Sequence, residues 1–361
     1  MKVPKVAIGP LVGEYGGTTQ HIRNIIKYSK YKLTPILPSP FSLYYNKSKF
    51  KGYARAGLRK LKISNFDLFG LFLSKIHLPN FDIVHLHGHP YWPEIYLKSR
   101  YGHAKYIHTV HQIYLEEDCY TSAEWKAKEH LNQLMFESCR NSNVVISVAK
   151  WQQKKLQEEG IDSIYIPNGV NVKDCEVADS IRFRKKYNID KEFYIFPGDI
   201  RQYKRPGLFV ELAKMIPERK FIMIGNGVTE ENLSKQLNTD IPKNVVCLGP
   251  LSHQDVLDGF AASRVFILPS KNETFGISLI EAMGCKKAVV ASNNAGPKEI
   301  IQNGVDGFLF EPDNIESLYR KALITWEHPE IGNAAYYKVK EQYDWSVVVK
   351  KIDELYRQLL S

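Results

Sequence analysis

The sequence predicts an α/β protein built as two doubly wound domains, each around a parallel sheet. Three observations predict it. A chain of 361 residues is too long for one ordinary core. Short apolar runs of the kind that strands buried on both faces require, such as 143–148 (NVVISV), 265–268 (VFIL) and 288–291 (AVVA), alternate with stretches of helical periodicity. That alternation fades over 171–190, where charges increase, and starts afresh at 193–196 (FYIF), so a domain junction is placed in the weak stretch. The expected domains are 1–172 and 173–344, and the amphipathic helix 345–361 is expected to pack back on the first.

In the first half, 5–12 (KVAIGPLV) reads as a strand, followed by Glu14, Tyr15, Gly16 and Gly17 and a helix from about Gln20. Strand, glycine turn and helix make the layout of a phosphate or nucleotide loop, although any tight strand-to-helix turn uses the same residues. The next strands are 82–86 (DIVHL), 105–110 and 143–148, with helices at 123–141 and 150–159. Seven of the eleven histidines fall between His77 and His111. His85, His87 and His89 share one face of an extended strand, which raises a metal site, but no carboxylate or cysteine sits at ligand spacing and Pro90 ends the strand. Cleft lining or packing is the preferred reading, and no metal is expected.

In the second half, strand 193–196 leads into a basic loop, Gly198 to Pro206 (GDIRQYKRP), and a helix at about 207–215. Strands at 221–224 and 245–248 follow, ending at glycines. The stretch 265–284 (VFILPSKNETFGISLIEAMG) reads as a buried strand, a polar loop holding Glu273, and a helix starting near Phe275 and Gly276 that carries Glu281. A helix start just past the carboxyl end of a strand offers unpaired N–H groups and a positive dipole end to an anion. Glu281 lies about 7.5 Å up that helix at ~1.5 Å per residue, and helical side chains lean back toward the start. Its carboxylate can face a ligand lying across the helix start.

Composition narrows the function classes. With 44% hydrophobic and 24% charged residues the chain is not disordered as a whole. No stretch reaches the ~20 apolar residues of a membrane span, and the broken apolar run at the start is not expected to act as a signal peptide. The five cysteines are scattered without C-x-x-C spacing, so neither a disulfide framework nor a cysteine zinc site is expected, and a reducing cytoplasm is the expected compartment. The net charge of +10 is concentrated: no acidic residue falls between Glu14 and Asp67, where eleven lysines and arginines do. Within it, aromatics interleave with the cations from Phe41 to Phe72. Residues 41–76 are therefore a candidate surface for an anionic membrane, the alternative being a solvated cationic face. No nucleic-acid-binding motif accompanies the charge, and nucleic acid is not expected as a partner.

Two α/β domains with glycine-rich or basic loops at their strand ends suggest a ligand held in a cleft between them, and the carboxylates, lysine and helix start suit a nucleoside diphosphate carrying a further group. Here the residues resemble the GT-B fold glycosyltransferases of family GT4, which are retaining. Glu273 and Glu281 have the family's E-x7-E spacing within PS-x2-E-x-FG-x4-EAM. Tyr15, Gly16 and Gly17 resemble its amino-terminal glycine loop, 166–170 (IPNGV) the stretch before the domain crossover, and Gly198 to Lys204 the diphosphate loop.

The resemblance implies two Rossmann-like domains facing a central cleft. It also implies roles: Glu281 on the ribose hydroxyls, Glu273 on the transferred sugar, and Lys204 on the diphosphate with the amides around Gly16, Gly17, Phe275, Gly276 and Ile277. His111 matches the histidine that faces the reacting sugar. The family's loop commonly reads G-R-x4-K, whereas Asp199 follows Gly198 here; Arg201 or Arg205 is expected to supply the second charge.

The expected function is transfer of a hexose from a UDP- or GDP-linked donor to a glycan, lipid-linked or glycolipid acceptor, without a cofactor and at the cytoplasmic face of the membrane. A nucleotide-sugar epimerase of the same fold and a non-catalytic nucleotide-sugar-binding protein are the alternatives.

Overall fold

The computed structural model describes residues 4–11, 17–36, 81–88, 103–119 and 121–361. The chain divides into two units, Met1–Pro167 together with Val349–Ser361, and Asn168–Val348. Among the described residues each holds a six-stranded sheet in which every pairing is parallel, as the apolar runs predict.

In the first unit the strands are β1 (Val6–Gly9), β2 (Leu33–Pro35), β3 (Ile83–His87), β4 (Lys105–Val110), β5 (Val144–Ser147) and β6 (Ile164–Tyr165), in the order β2-β1-β3-β4-β5-β6. Helix α1 (Gly17–Tyr28) joins β1 to β2, α2 (Ser122–Arg140) precedes β5, and α3 (Lys150–Glu158) joins β5 to β6. The end of the last helix, α13 (Trp345–Leu360), belongs to this unit. There the buried Asp353 accepts hydrogen bonds from Ser29 Oγ at 2.5 Å and Lys30 N at 3.0 Å.

In the second unit β7 (Phe193–Pro197), β8 (Lys220–Ile224), β9 (Val245–Cys247), β10 (Val265–Leu268), β11 (Ala288–Ser292) and β12 (Phe308–Phe310) run in the order β12-β11-β10-β7-β8-β9. Successive side chains of a strand point to opposite faces. Phe193 and Ile195 enter one core with Phe183, Phe260, Phe266 and Met283. Tyr194 and Phe196 enter another with Phe209, Phe221, Ile267 and Phe310. Helices therefore cover both faces, which is why these strands read as unbroken apolar runs.

The segment 171–190, where the fading periodicity places the domain junction, forms α4 (Val172–Glu176) and α5 (Ser180–Tyr187) inside the second unit, which begins at Asn168. In α5 only Phe183 is buried, so no helical stripe is visible in its sequence. It is held by other means. The Asp179 side chain caps its first amides, and Arg182 clamps the buried Asp258 on α8 (His253–Ala262) through Nε and Nη2 at 2.5 and 2.6 Å. The remaining helices, α6 (Pro206–Met215), α7 (Glu230–Leu237), α9 (Ile277–Gly284), α10 (Ala295–Ile300), α11 (Ile315–Glu327) and α12 (Ile331–Gln342), complete the second unit.

One glycine ties together the loops at the carboxyl edge of this second sheet. Gly225, with φ of +155°, donates to Gly249 O at 2.8 Å, and a Cβ on it would lie 2.2 Å from Gly198 O. Gly160 has φ of +68° with nothing within 4 Å of a built Cβ. Gly225→Ala should therefore destabilise the chain by roughly 3 kcal/mol or more, and Gly160→Ala by about 1 kcal/mol. Urea midpoints of the two variants check this ranking; equal midpoints would contradict the backbone contact.

Candidate functional site

The order of the second sheet reverses at β7 and β10: β8 and β9 lie on one side of this pair, β11 and β12 on the other. Loops leaving the carboxyl ends of strands diverge at such a point, and ligands of open α/β sheets bind there. The two loops involved are 198–205 after β7 and 269–276 after β10. They are stitched by Lys271 N, which donates to Tyr203 O at 2.7 Å.

Lys204 Nζ lies 2.6 Å from Glu273 Oε2, with side chains only 16% and 18% exposed. Burial alone would lower the Lys204 ammonium, but the Glu273 carboxylate beside it outweighs that and holds it above the usual lysine value. The predicted cation and the predicted first glutamate thus form one ion pair. Arg201 is engaged with Asp199, donating from its backbone N at 3.0 Å and from Nε at 2.7 Å. Burial pushes the Asp199 carboxyl up, but these Arg201 bonds outweigh it and keep it below the usual range. Arg205, in the left-handed region with φ of 54°, reaches Asp313 at 2.8 Å. The Tyr203 ring lies between cations, 4.8 Å from the Arg201 guanidinium and 5.3 Å from Lys204 Nζ.

The start of α9 is shaped by close backbone packing. Gly276 caps it with φ of 99°, and Ile277 is its first residue. Gly296 N donates to Glu273 O at 2.9 Å. A Cβ on Gly296 would meet the Phe275 backbone at 2.5 Å, so only glycine lets α10 come this close to the loop. Phe275 is buried, its ring edge-on to Tyr343.

Glu281, further along α9, accepts from His253 Nε2 at 2.7 Å. Nothing in the sequence singled out His253: it stands 28 residues earlier, on the first turn of α8. The hydrogen bond to Glu281, with burial opposing it, raises the His253 pKa above 6.5.

In the first unit, Gly17 opens α1, while Gly16, His89 and residues 41–76 lie outside the described residues. His111 follows β4 and lies half-buried beside the buried His87 of β3 and His21 of α1. His87 Nδ1 and His111 Nε2 are 3.1 Å apart. The His21 ring is 5.2 Å from His87 and 4.7 Å, edge-on, from His111. His85 stacks on His87 at 4.2 Å, and both its nitrogens are taken, by Tyr356 OH and Thr109 Oγ1 at 2.7 Å each. Burial first, then the neighbouring histidines, holds His85, His87 and His111 well below the ordinary imidazole value, so they are neutral at pH 7. His85 and His87 share one face of β3, as strand geometry predicts, and they are joined by His111, just past β4, and by His21 of α1, which the sequence reading did not select.

The family models decide what this architecture is. Residues 31–174 match the model described as Glycosyltransferase Family 4, and residues 178–343 the model described as Glycosyl transferases group 1. The chain belongs to this glycosyltransferase family. Its two parallel doubly wound sheets are those of the GT-B fold. The glycosyltransferase is 34% identical to the sulfoquinovosyl transferase SQD2 of Arabidopsis thaliana over 45% of this chain, and spans only 32% of that relative. It is 25% identical to a GDP-mannose-dependent monoacylated alpha-(1-6)-phosphatidylinositol monomannoside mannosyltransferase of Corynebacterium glutamicum, over 53% of this chain and 55% of the relative. Among solved structures, Anabaena Alr3699/HepE in complex with UDP superposes with a TM-score of 0.74 over 98% of this chain and all of that one, at 18% identity. No helix among the described residues is long and apolar enough to cross a membrane.

The His253–Glu281 contact has a pH signature. A histidine raised in the folded state stabilises fully below its unfolded value near 6.5, and the contribution is lost as pH rises through the raised folded value. Proton NMR titration should place the His253 ring above 6.5, and Glu281→Gln should bring it back toward that value. A His253 titration unmoved by Glu281→Gln would contradict the contact.

Proposed function

We propose that this glycosyltransferase is a retaining hexosyltransferase that moves a hexose from a UDP- or GDP-linked donor to a glycan, carried on a lipid or forming part of a glycolipid. The observation that carries the reading is the Lys204–Glu273 pair, set at the sheet reversal beside the start of α9. As the donor breaks down, negative charge grows on the departing diphosphate. A lysine and free helix amides aimed there favour the transition state over the ground state.

In this reading the diphosphate takes over Lys204 and frees Glu273 for the hydroxyls of the sugar. Glu281 takes the ribose hydroxyls in place of His253, and His111 serves at the reacting sugar. Arg201, exposed and paired within its own loop, supplies the second charge in preference to Arg205, which Asp313 holds. The positive charge for transfer comes from these side chains and amides, and no metal is assigned to that step. The UDP complex of the Anabaena protein and the GDP-mannose dependence named for the Corynebacterium relative support a nucleotide-sugar donor; the phosphatidylinositol-based acceptor named for the latter supports a lipid one.

Incubation with labelled UDP- and GDP-hexoses and a membrane-lipid extract tests the reaction. The expected products are free nucleoside diphosphate and labelled lipid with the donor's anomeric configuration. Lys204→Ala should lower kcat by roughly 10²–10³-fold, the scale of one lost oxyanion-type contact. An altered nucleotide sugar with no labelled acceptor would replace transfer by epimerisation, and a Lys204→Ala variant equal to wild type would remove the proposed role.

The reading also places the enzyme in the cytoplasm at the membrane surface, through residues 41–76. Sedimentation with anionic vesicles should fall when Lys47, Lys49, Lys51 and Arg55 are neutralised together, and should weaken with salt. Partitioning unchanged by both would contradict the membrane contact.

A further inference from the structure

The histidine cluster of the first unit is not accounted for by the transfer reaction, which uses at most His111. Three of its members converge from separate elements. His87 ends β3, His111 follows β4, the neighbouring strand, and His21 lies on the buried face of α1. One ring nitrogen from each lies within 4.8 Å of the others.

A tetrahedral zinc ion with bonds of 2.0–2.1 Å needs its nitrogen ligands about 3.3 Å apart. The 3.1 Å between His87 Nδ1 and His111 Nε2 is already at that spacing, and His21 needs a small ring movement to join them. His85 is not available, since Tyr356 and Thr109 occupy both its nitrogens. Its ring, stacked on His87, instead fixes the orientation of that imidazole, as supporting groups do around metal sites. Buried His87 Nε2 has no hydrogen-bond partner among the described residues.

We propose that His21, His87 and His111 form a binding site for a single transition-metal dication of the zinc class. Three imidazoles without a carboxylate select zinc-like ions over magnesium or calcium, and three protein ligands leave the fourth position to water or an anion. An ion held here occupies His111, so metal loading and use of that histidine by substrate exclude one another.

The test uses the full-length chain stripped with a chelator, titrated with Zn²⁺ against a chromophoric competitor and with Co²⁺ for its visible spectrum. The site predicts one ion per chain and the intense absorption of four-coordinate cobalt. His21→Gln and His87→Gln should each weaken Zn²⁺ binding by more than the roughly 10–100-fold that loss of a mere supporting group costs. His253→Gln, outside the cluster, should leave it unchanged. Circular dichroism of the metal-free variants establishes that they fold; if one does not, the wild-type stoichiometry and cobalt spectrum decide alone. A weak six-coordinate spectrum, or affinity unchanged in folded His21→Gln and His87→Gln, would overturn the site. The titration contains no nucleotide sugar, so its outcome is independent of the proposed transfer.

Discussion

In the second unit β7 and β10 are neighbours in the sheet although the strands that follow them are laid down on opposite sides. Parallel strands need crossover connections, and these bring every strand out at the same edge. At this one place the two outgoing loops have no helix connection between them to fill the gap. The space is bridged by the Lys204–Glu273 ion pair and the Lys271–Tyr203 backbone bond, and the remaining polar features of the site are arranged around it.

The electrostatics follow from that constraint. Each cation of the loop after β7 has a carboxylate partner: Asp199 for Arg201, Glu273 for Lys204 and Asp313 for Arg205. Of the three, the Lys204–Glu273 pair is the most shielded from water, where Coulombic attraction is least screened. An unpaired lysine in this position would pay a desolvation penalty, and so would an unpaired glutamate. A ligand that brings its own negative charge for Lys204 and its own hydroxyls for Glu273 replaces both partners at once. A nucleoside diphosphate sugar has that combination of groups.

Much of the fold was legible because both sheets are buried on both faces. FYIF at β7 sends Phe193 and Ile195 to one core and Tyr194 and Phe196 to the other, and VFIL at β10 likewise sends Phe266 and Leu268 to the first and Val265 and Ile267 to the second, leaving no polar face to break the pattern. Helix α5 was not legible, since a single buried phenylalanine and an ion pair to a residue 76 positions away leave no periodic trace. The glutamates and Lys204 could be selected from loop position and spacing. Their partners could not: His253 meets Glu281 from another helix, and the three histidines meet from two strands and a helix. Asp199, conspicuous as a negative charge where a positive one was expected, is the anchor of Arg201. The basic aromatic stretch 41–76 lies outside the described residues.

The central claim is that Lys204 and Glu273 act as one unit toward the donor, and a double-mutant cycle measures it. Calorimetric affinity for the nucleotide sugar would be compared in wild type, Lys204→Ala, Glu273→Ala and the double variant. The account predicts that the double variant departs from the sum of the single effects by a coupling on the order of 0.5–3 kcal/mol. Effects that add to within about 0.5 kcal/mol would contradict it.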